Sequence, residues 1–204
     1  MRVPRKNSLH KRPLALSTRG AKHLSTNGLH TQGVTDEKKT IMYPASVRIS
    51  SLYHAPYHVA NAERVISLVD PDMVIPHVPP TTPHLVKRVR DVPWNIGSYA
   101  PTIDLVREVL DFAGTKDKIL IHCHAGMSRS VSSAIGIMIQ RGATIAQAIE
   151  AIETYEKDVG YSTAPNMLIL EYADSILGMH GLLYEAVDEY FYGAYPLTVF
   201  TGKL

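Results

Sequence analysis

The stretch that most constrains this chain is residues 118–142, "KILIHCHAGMSRSVSSAIGIMIQRG". A short apolar run bounded by charge is what a strand buried on both faces of a parallel sheet requires. It runs straight into a tight, glycine-containing loop. The residues after Arg129 then carry a helical pattern that stops at Gly142. Strand, loop and helix N-terminus in that order converge unpaired backbone N–H groups and the positive end of a helix dipole on one point, which makes an anion cradle. Gly126 lets the loop curl with its amides inward.

The flanking sequence predicts the same class of fold. "VRISSLY" from Val47 and "RVISLVD" (64–70) are short β-branched runs ending at turn residues, and "APYHVANAE" between them is long enough for a helical turn or two. "HLVKRVRDV" (84–92) predicts a further strand, and "APTIDLVREVLDFAG" places Ile103, Val106, Val109, Leu110 and Ala113 on one helical face before Gly114. Beyond the cradle everything reads as helix. Thr144 with Gln147 forms a capping box for "IAQAIEAIETYEKD", Pro165 and Gly178 bracket "APNMLILEYADSILG", and "GLLYEAVDEYFYG" is amphipathic. The expected fold is α/β: a central, mostly parallel sheet flanked by helices, with a helical C-terminal cluster.

Composition bears on what lies outside that pattern. Residues 1–35 carry seven basic and no acidic side chains, so the remainder holds 14 basic against 19 acidic. The folded part is mildly acidic, and nucleic acid is not an expected partner. We expect residues 1–41 to be a basic disordered tail and residues 42–204 to be the folded domain, Met42 being an alternative start. An organellar transit peptide, against an otherwise cytoplasmic location, and a basic docking arm are the other readings of the leader. The sequence has no run of apolar residues long enough to span a membrane. Its single cysteine, Cys123, permits no intramolecular disulfide and leaves no cysteine partner for a structural zinc site. Six aromatics, Tyr184, Tyr190, Phe191, Tyr192, Tyr195 and Phe200, gather near the C-terminus. They read either as a helix capping the core or as a patch for self-association.

The cysteine sits at the base of the cradle. Amides and positive charge there favour a thiolate, and comparable settings lower a thiol from ~8.5 by one to several units. Arg129, six positions on, adds a planar fork that can hold two phosphate oxygens. The amides of His124, Ala125, Gly126, Met127, Ser128 and Arg129 would bind a phosphoryl group, and sulfur beneath it would attack phosphorus. A carboxylic acid must then protonate the leaving oxygen. Asp91, at the end of a predicted strand and 32 residues before Cys123, is the candidate, because Asp104 and Asp111 fall inside a predicted helix. Ser130 can hydrogen-bond the sulfur, His122 can buttress the loop, and His124 is a candidate rim contact. His54 and His58 are expected at the surface. No metal or other cofactor is called for.

"HCHAGMSRS" resembles the HCxAGxSRS form found in dual-specificity members of the cysteine-dependent protein tyrosine phosphatase superfamily. The likeness runs from about Val47 to Gly178 and is strongest at 119–130; it is most similar to the short prokaryotic members. It implies a phosphoric monoester hydrolase acting on phosphotyrosine, and on phosphoserine or phosphothreonine, in protein substrates through a phospho-cysteine intermediate. It also implies that Asn166, in "APNMLILEYADSIL", helps to position the hydrolytic water or its loop. No Asn-Arg-Tyr recognition loop of the larger tyrosine-specific enzymes is visible. The same chemistry on a phosphoinositide, an inositol phosphate or an RNA 5′ end is the alternative, less favoured because His124, Met127 and Ser128 bring no lysine. A phosphate-reading module without turnover is the non-enzymatic alternative, and a rhodanese-type sulfur transferase fits the Arg-Ser helix entry less well.

Overall fold

The computed structural model describes residues 46–115 and 117–193. The basic leader, with its alternative readings, lies outside the described residues, as do Tyr195 and Phe200. Among the described residues four strands form one sheet: β1 (Val47–Ser51), β2 (Arg64–Val69), β3 (His84–Arg88) and β4 (Ile119–Cys123). Their order is β1-β4-β2-β3, and all three pairings are parallel. Two 3-10 turns, Ala55–Tyr57 and Val59–Asn61, link β1 to β2. The helices are α1 (Ile103–Ala113), α2 (Arg129–Gln140), α3 (Ile145–Val159), α4 (Met167–Leu177) and α5 (Leu182–Tyr192). Among the described residues no helix is long and apolar enough to cross a membrane.

The two-residue alternation of the strands decides which side chains reach which layer. Ile66 and Leu68 of β2, with Ile119, Ile121 and Cys123 of β4, enter the main core against α1, α2 and α4. Their neighbours Val65 and Leu120 enter a smaller cluster with Ala55 and Val59 of the 3-10 turns. Every residue of β4 is therefore buried, as the apolar run predicts. Each fully buried Ile or Leu contributes roughly 1.5–3 kcal/mol by leaving water. That anchors the strand which ends at the cysteine.

The helix boundaries follow local chemistry. Thr144 and Gln147 close a reciprocal capping box on α3. Pro165 and Gly178 bracket α4 as the sequence predicts, and the Asn166 side chain accepts from the Ile169 N–H and takes the N-cap. The predicted third strand is also shorter than 84–92. Val89 N–H still bonds Val69 O, but Arg90 N–H turns to Tyr99 O, so the chain leaves the sheet and Asp91 lies in an irregular loop beyond β3. Asp174, buried at the end of α4, accepts from the N–H groups of Gly181, Leu183 and Tyr184 and so fixes the start of α5. On α5, Tyr190 donates to Glu153, Tyr192 donates to Pro165 O and Phe191 packs on the core.

Candidate active site

The loop from Cys123 to Arg129 leaves the C-terminal end of a parallel strand, where open α/β sheets place their ligand sites. Its carbonyls can be accounted for one by one. Cys123 O accepts from His122 Nδ1 at 3.2 Å, and His124 O from Leu52 N–H at 3.0 Å. Ala125 O accepts from Tyr161 Oη at 3.2 Å and Gly126 O from Tyr155 Oη at 2.9 Å. Met127 O accepts from Ala164 N–H at 3.0 Å, and Ser128 O from Ser132 N–H at 2.9 Å. All six carbonyls are thus engaged by groups outside the cradle. The C=O of one residue and the N–H of the next share a rigid peptide plane and point opposite ways, so outward carbonyls mean inward amides.

Cys123 is 1% exposed and lies beneath those amides. Gly126 N–H donates to its Sγ at 3.3 Å, and Ser130 Oγ is 3.2 Å from the sulfur. Gly126 holds a φ of +75°, and a Cβ there would fall 2.7 Å from Tyr155 Oη and 2.9 Å from the backbone of Ser50 and Ser51. No other residue fits that bend. Ser128 occupies the N-cap position of α2 without capping it. Its hydroxyl donates instead to Asp91 Oδ1 at 2.8 Å. The first amides of α2 are thereby left open toward the cradle.

Arg129 is 3% exposed, and its side chain is held from behind. Nη1 donates to Val89 O, and Nη2 donates to Asp70 Oδ2 at 3.1 Å. Nε is buried and has no hydrogen-bond partner among the described residues. A buried guanidinium N–H without an acceptor is costly, and an anion is the acceptor that would satisfy it.

Asp91 joins this group from the loop after β3. Its Oδ1 accepts from Ser128 and, at 2.7 Å, from Asn166 Nδ2, which also donates to Val92 O at 3.1 Å. Asn166 therefore caps α4 with one end of its amide and holds the Asp91 segment with the other. Both donors go to Oδ1, and Oδ2 has no donor among the described residues. A cleft of about 330 Å³ adjoins it, lined among others by Pro93, Met167, Asp188 and Tyr192. Burial, and then the carboxylates of Asp91 and Asp188, hold the Tyr192 phenol above its ordinary pKa.

His122 is fully buried on the other face of β4. Because Nδ1 must donate to a carbonyl, Nε2 is the acceptor in the neutral ring and takes the Ser67 Oγ proton at 2.6 Å. Ser67 Oγ in turn lies 2.7 Å from His84 Nε2. Burial pushes the His122 pKa down to about 4, opposed by its bond to Cys123 O and assisted by His84. The ring is neutral at physiological pH, so it braces the strand end with a fixed tautomer. His124 is exposed at the rim, His54 is exposed and His58 half-buried.

The structure thus brings Cys123, the loop amides, Arg129, Ser130, Asp91, Asn166 and His122 into one site, while Asp104 and Asp111 lie on α1 away from it. Sequence reasoning missed Asp70, Tyr155, Tyr161, Ser67 and His84. For Asp70 a signal existed, a carboxylate just past the C-terminal end of a parallel strand. The two tyrosines lie 29 and 36 residues from the carbonyls they bind, and no local pattern marks them.

Neither a protein-family model nor a curated protein sequence matches the chain. Solved structures do. The human tyrosine phosphatase-like serine/threonine/tyrosine-interacting protein superposes with a TM-score of 0.51 at 16% identity, covering 66% of this chain and 93% of that one. A single-residue variant of human DUSP28 superposes with a TM-score of 0.52 at 17% identity, covering 68% and 95%. The chain has the dual-specificity phosphatase fold. In this chain the parallel sheet and the α2 N-terminus carry the cysteine loop, and the connections that follow β1 and β3 flank it. Here the rim exposes Trp94, Ile96 and Tyr99 on the Asp91 side and Tyr53 and Tyr57 next to the segment tied to His124.

Proposed function

We propose that this protein is a phosphatase that hydrolyses phosphate monoesters on proteins, phosphotyrosine foremost, through a phospho-cysteine intermediate. The observation that carries the reading is the cradle itself: outward carbonyls, inward amides, a sulfur beneath them and a buried Arg129 Nε with no acceptor. A dianionic phosphoryl group supplies the acceptors that this arrangement lacks.

In the first half-reaction Cys123 Sγ attacks phosphorus, a P–S bond forms and the P–O bond to the substrate breaks. Asp91 Oδ2 delivers its proton to the departing oxygen. In the second, water attacks phosphorus, Asp91 takes one of its protons, and the P–S bond breaks with release of inorganic phosphate. Ser130, 3.2 Å from the sulfur, stabilises the departing thiolate. The amides and Arg129 stabilise the equatorial oxygens in both steps, the kind of preorganised donor whose loss costs about 10²–10³ in rate. Asp70 and Val89 O hold the guanidinium in one orientation, so no reorganisation is needed when charge develops. A protein substrate is favoured by the exposed aromatic rim, which offers ring faces to a phosphotyrosyl side chain and its neighbours.

Hydrolysis of p-nitrophenyl phosphate in EDTA tests the reading. Steady turnover that vanadate blocks and Cys123→Ser abolishes is the expected result, with phosphate binding retained in the variant. No turnover by the intact chain, with phosphate bound, makes it a phosphate-reading module. A panel of phosphotyrosine, phosphothreonine and inositol lipid substrates then fixes the substrate class, and a preference for the lipid would overturn the protein assignment.

A further inference from the structure

Two phenol groups meet behind the cradle. Tyr155 projects from α3 and Tyr161 from the segment that follows it, and their hydroxyl oxygens are 3.2 Å apart. Their rings meet edge to face at 6.4 Å. Tyr155 donates to Gly126 O and Tyr161 to Ala125 O. With one proton each, the two hydroxyls match the two carbonyls.

Those carbonyls belong to the peptide planes on either side of Gly126. A glycine-flanked peptide is the one most able to flip, because glycine tolerates both signs of φ. Either flip would be harmful here. Turning the 125–126 plane would take the Gly126 N–H off the sulfur that it donates to at 3.3 Å. Turning the 126–127 plane would remove the Met127 N–H and point a carbonyl lone pair at the bound anion. The remaining loop carbonyls are held by backbone donors, by His122 or by the first turn of α2, so this pair covers the two planes that glycine leaves loose.

We propose that Tyr155 and Tyr161 are positioning residues for the reaction, a paired phenol clamp that holds both peptide planes around Gly126 with their N–H groups in the cradle. The inference rests on the phosphatase reading and adds to it residues that touch neither substrate nor sulfur. Each phenol acts through one peptide: from Tyr161 Oη through the 125–126 plane to Cys123 Sγ, and from Tyr155 Oη through the 126–127 plane to the phosphoryl site. Burial, and then the neighbouring Tyr161 phenol, raise the Tyr155 pKa, so it keeps its proton and remains a donor throughout the working pH range. The contact also explains the crowding at position 126, where a Cβ would strike Tyr155 Oη.

The test compares Tyr155→Phe, Tyr161→Phe and the double variant with Tyr190→Phe. That control removes a phenol hydroxyl bonded to Glu153 rather than to a loop carbonyl. Two readouts are needed: kcat/KM with the vanadate inhibition constant, and the ratio of Cys123 alkylation rates by anionic iodoacetate and neutral iodoacetamide. A net hydrogen bond of about 1 kcal/mol corresponds to about a fivefold change. Each clamp variant should lose about that factor in kcat/KM, weaken vanadate similarly and lower the iodoacetate preference, while Tyr190→Phe changes none of these. A clamp variant with a lower melting temperature but an unchanged alkylation ratio and vanadate constant overturns the proposal. If Tyr155→Phe does not fold, Tyr161→Phe decides the matter alone, since Tyr161 is 36% exposed. The two readings separate cleanly. An intact chain that never turns over, yet loses iodoacetate preference in Tyr161→Phe, defeats the phosphatase reading and upholds the clamp. An active chain indifferent to both substitutions does the reverse.

Discussion

The Cys123–Arg129 loop and the segment from Arg90 to Tyr99 face each other across the site, and they are built on opposite principles. In the first, each carbonyl has a partner, the cysteine and arginine are almost fully buried, and the one glycine is wedged by its surroundings. The second hangs on a few contacts: Asp91 and Val92 O on Asn166 and Ser128, Arg90 N–H on Tyr99 O, and Tyr99 itself at a φ of +68°. Trp94 and Ile96 stand 67% and 80% exposed. On the proposed reading, the stiff loop serves chemistry that is the same for every phosphate monoester, and the loose one carries the proton and meets whatever the phosphate is attached to. Local stability differences of this kind are what allow one element to close on a ligand already held by another.

If that division is right, damage to the stiff loop should be severe and indifferent to substrate. Arg129→Lys should cost about 10³-fold in kcat/KM on every substrate, because an ammonium cannot reproduce the fork or its two supporting bonds. A loss that varied strongly with the leaving group would blur the comparison. A stability effect comes next. The folded His122 resists protonation until about pH 4, whereas the unfolded ring takes a proton near 6.5, so acidification through that window favours the unfolded chain. Stability should fall by on the order of 3 kcal/mol between pH 7 and pH 4 from this group, read by urea unfolding. His84, also held low by burial, adds in the same direction. His122→Gln should flatten the slope, and an unchanged slope would remove His122 from the account.

Asp91→Asn should lower the rate about 10²-fold for poor leaving groups and far less for p-nitrophenyl phosphate. An equal loss on both would mean that Asp91 shapes the loop rather than moving a proton. The smallest effect is expected at the exposed rim. Trp94→Ala should leave p-nitrophenyl phosphate hydrolysis within about twofold while changing the ranking of phosphopeptides. A uniform loss on small and large substrates would show that the outer segment is stiffer than its contacts suggest.

The same contrast explains what could be read in advance. The Cys123–Arg129 loop was legible because its chemistry demands particular residue types at contiguous positions, and the apolar run before it could only be a buried strand. The approach of Asp91 to the loop was legible by its spacing and by elimination of helical carboxylates, although the strand leading to it ends earlier, where Arg90 pairs with Tyr99 instead of β2. Asp70, Ser67 and His84 were not, because each acts across the sheet on a residue far away in sequence. Ser67 and His84 reach His122 through the register of β2 with β3 and β4, which a single sequence does not contain. The phenols of Tyr155 and Tyr161 look from the sequence like ordinary helix-face and turn residues.

The central claim is that Cys123 sulfur becomes bonded to phosphorus. Rapid quenching of Asp91→Asn during p-nitrophenyl phosphate turnover, followed by peptide mass spectrometry, tests it directly, since this variant should slow hydrolysis of the intermediate more than its formation. The account predicts one added phosphoryl group on the peptide containing Cys123, absent in Asp91→Asn/Cys123→Ser. Turnover without any phosphorylated Cys123, or with the group on His124 instead, would contradict it.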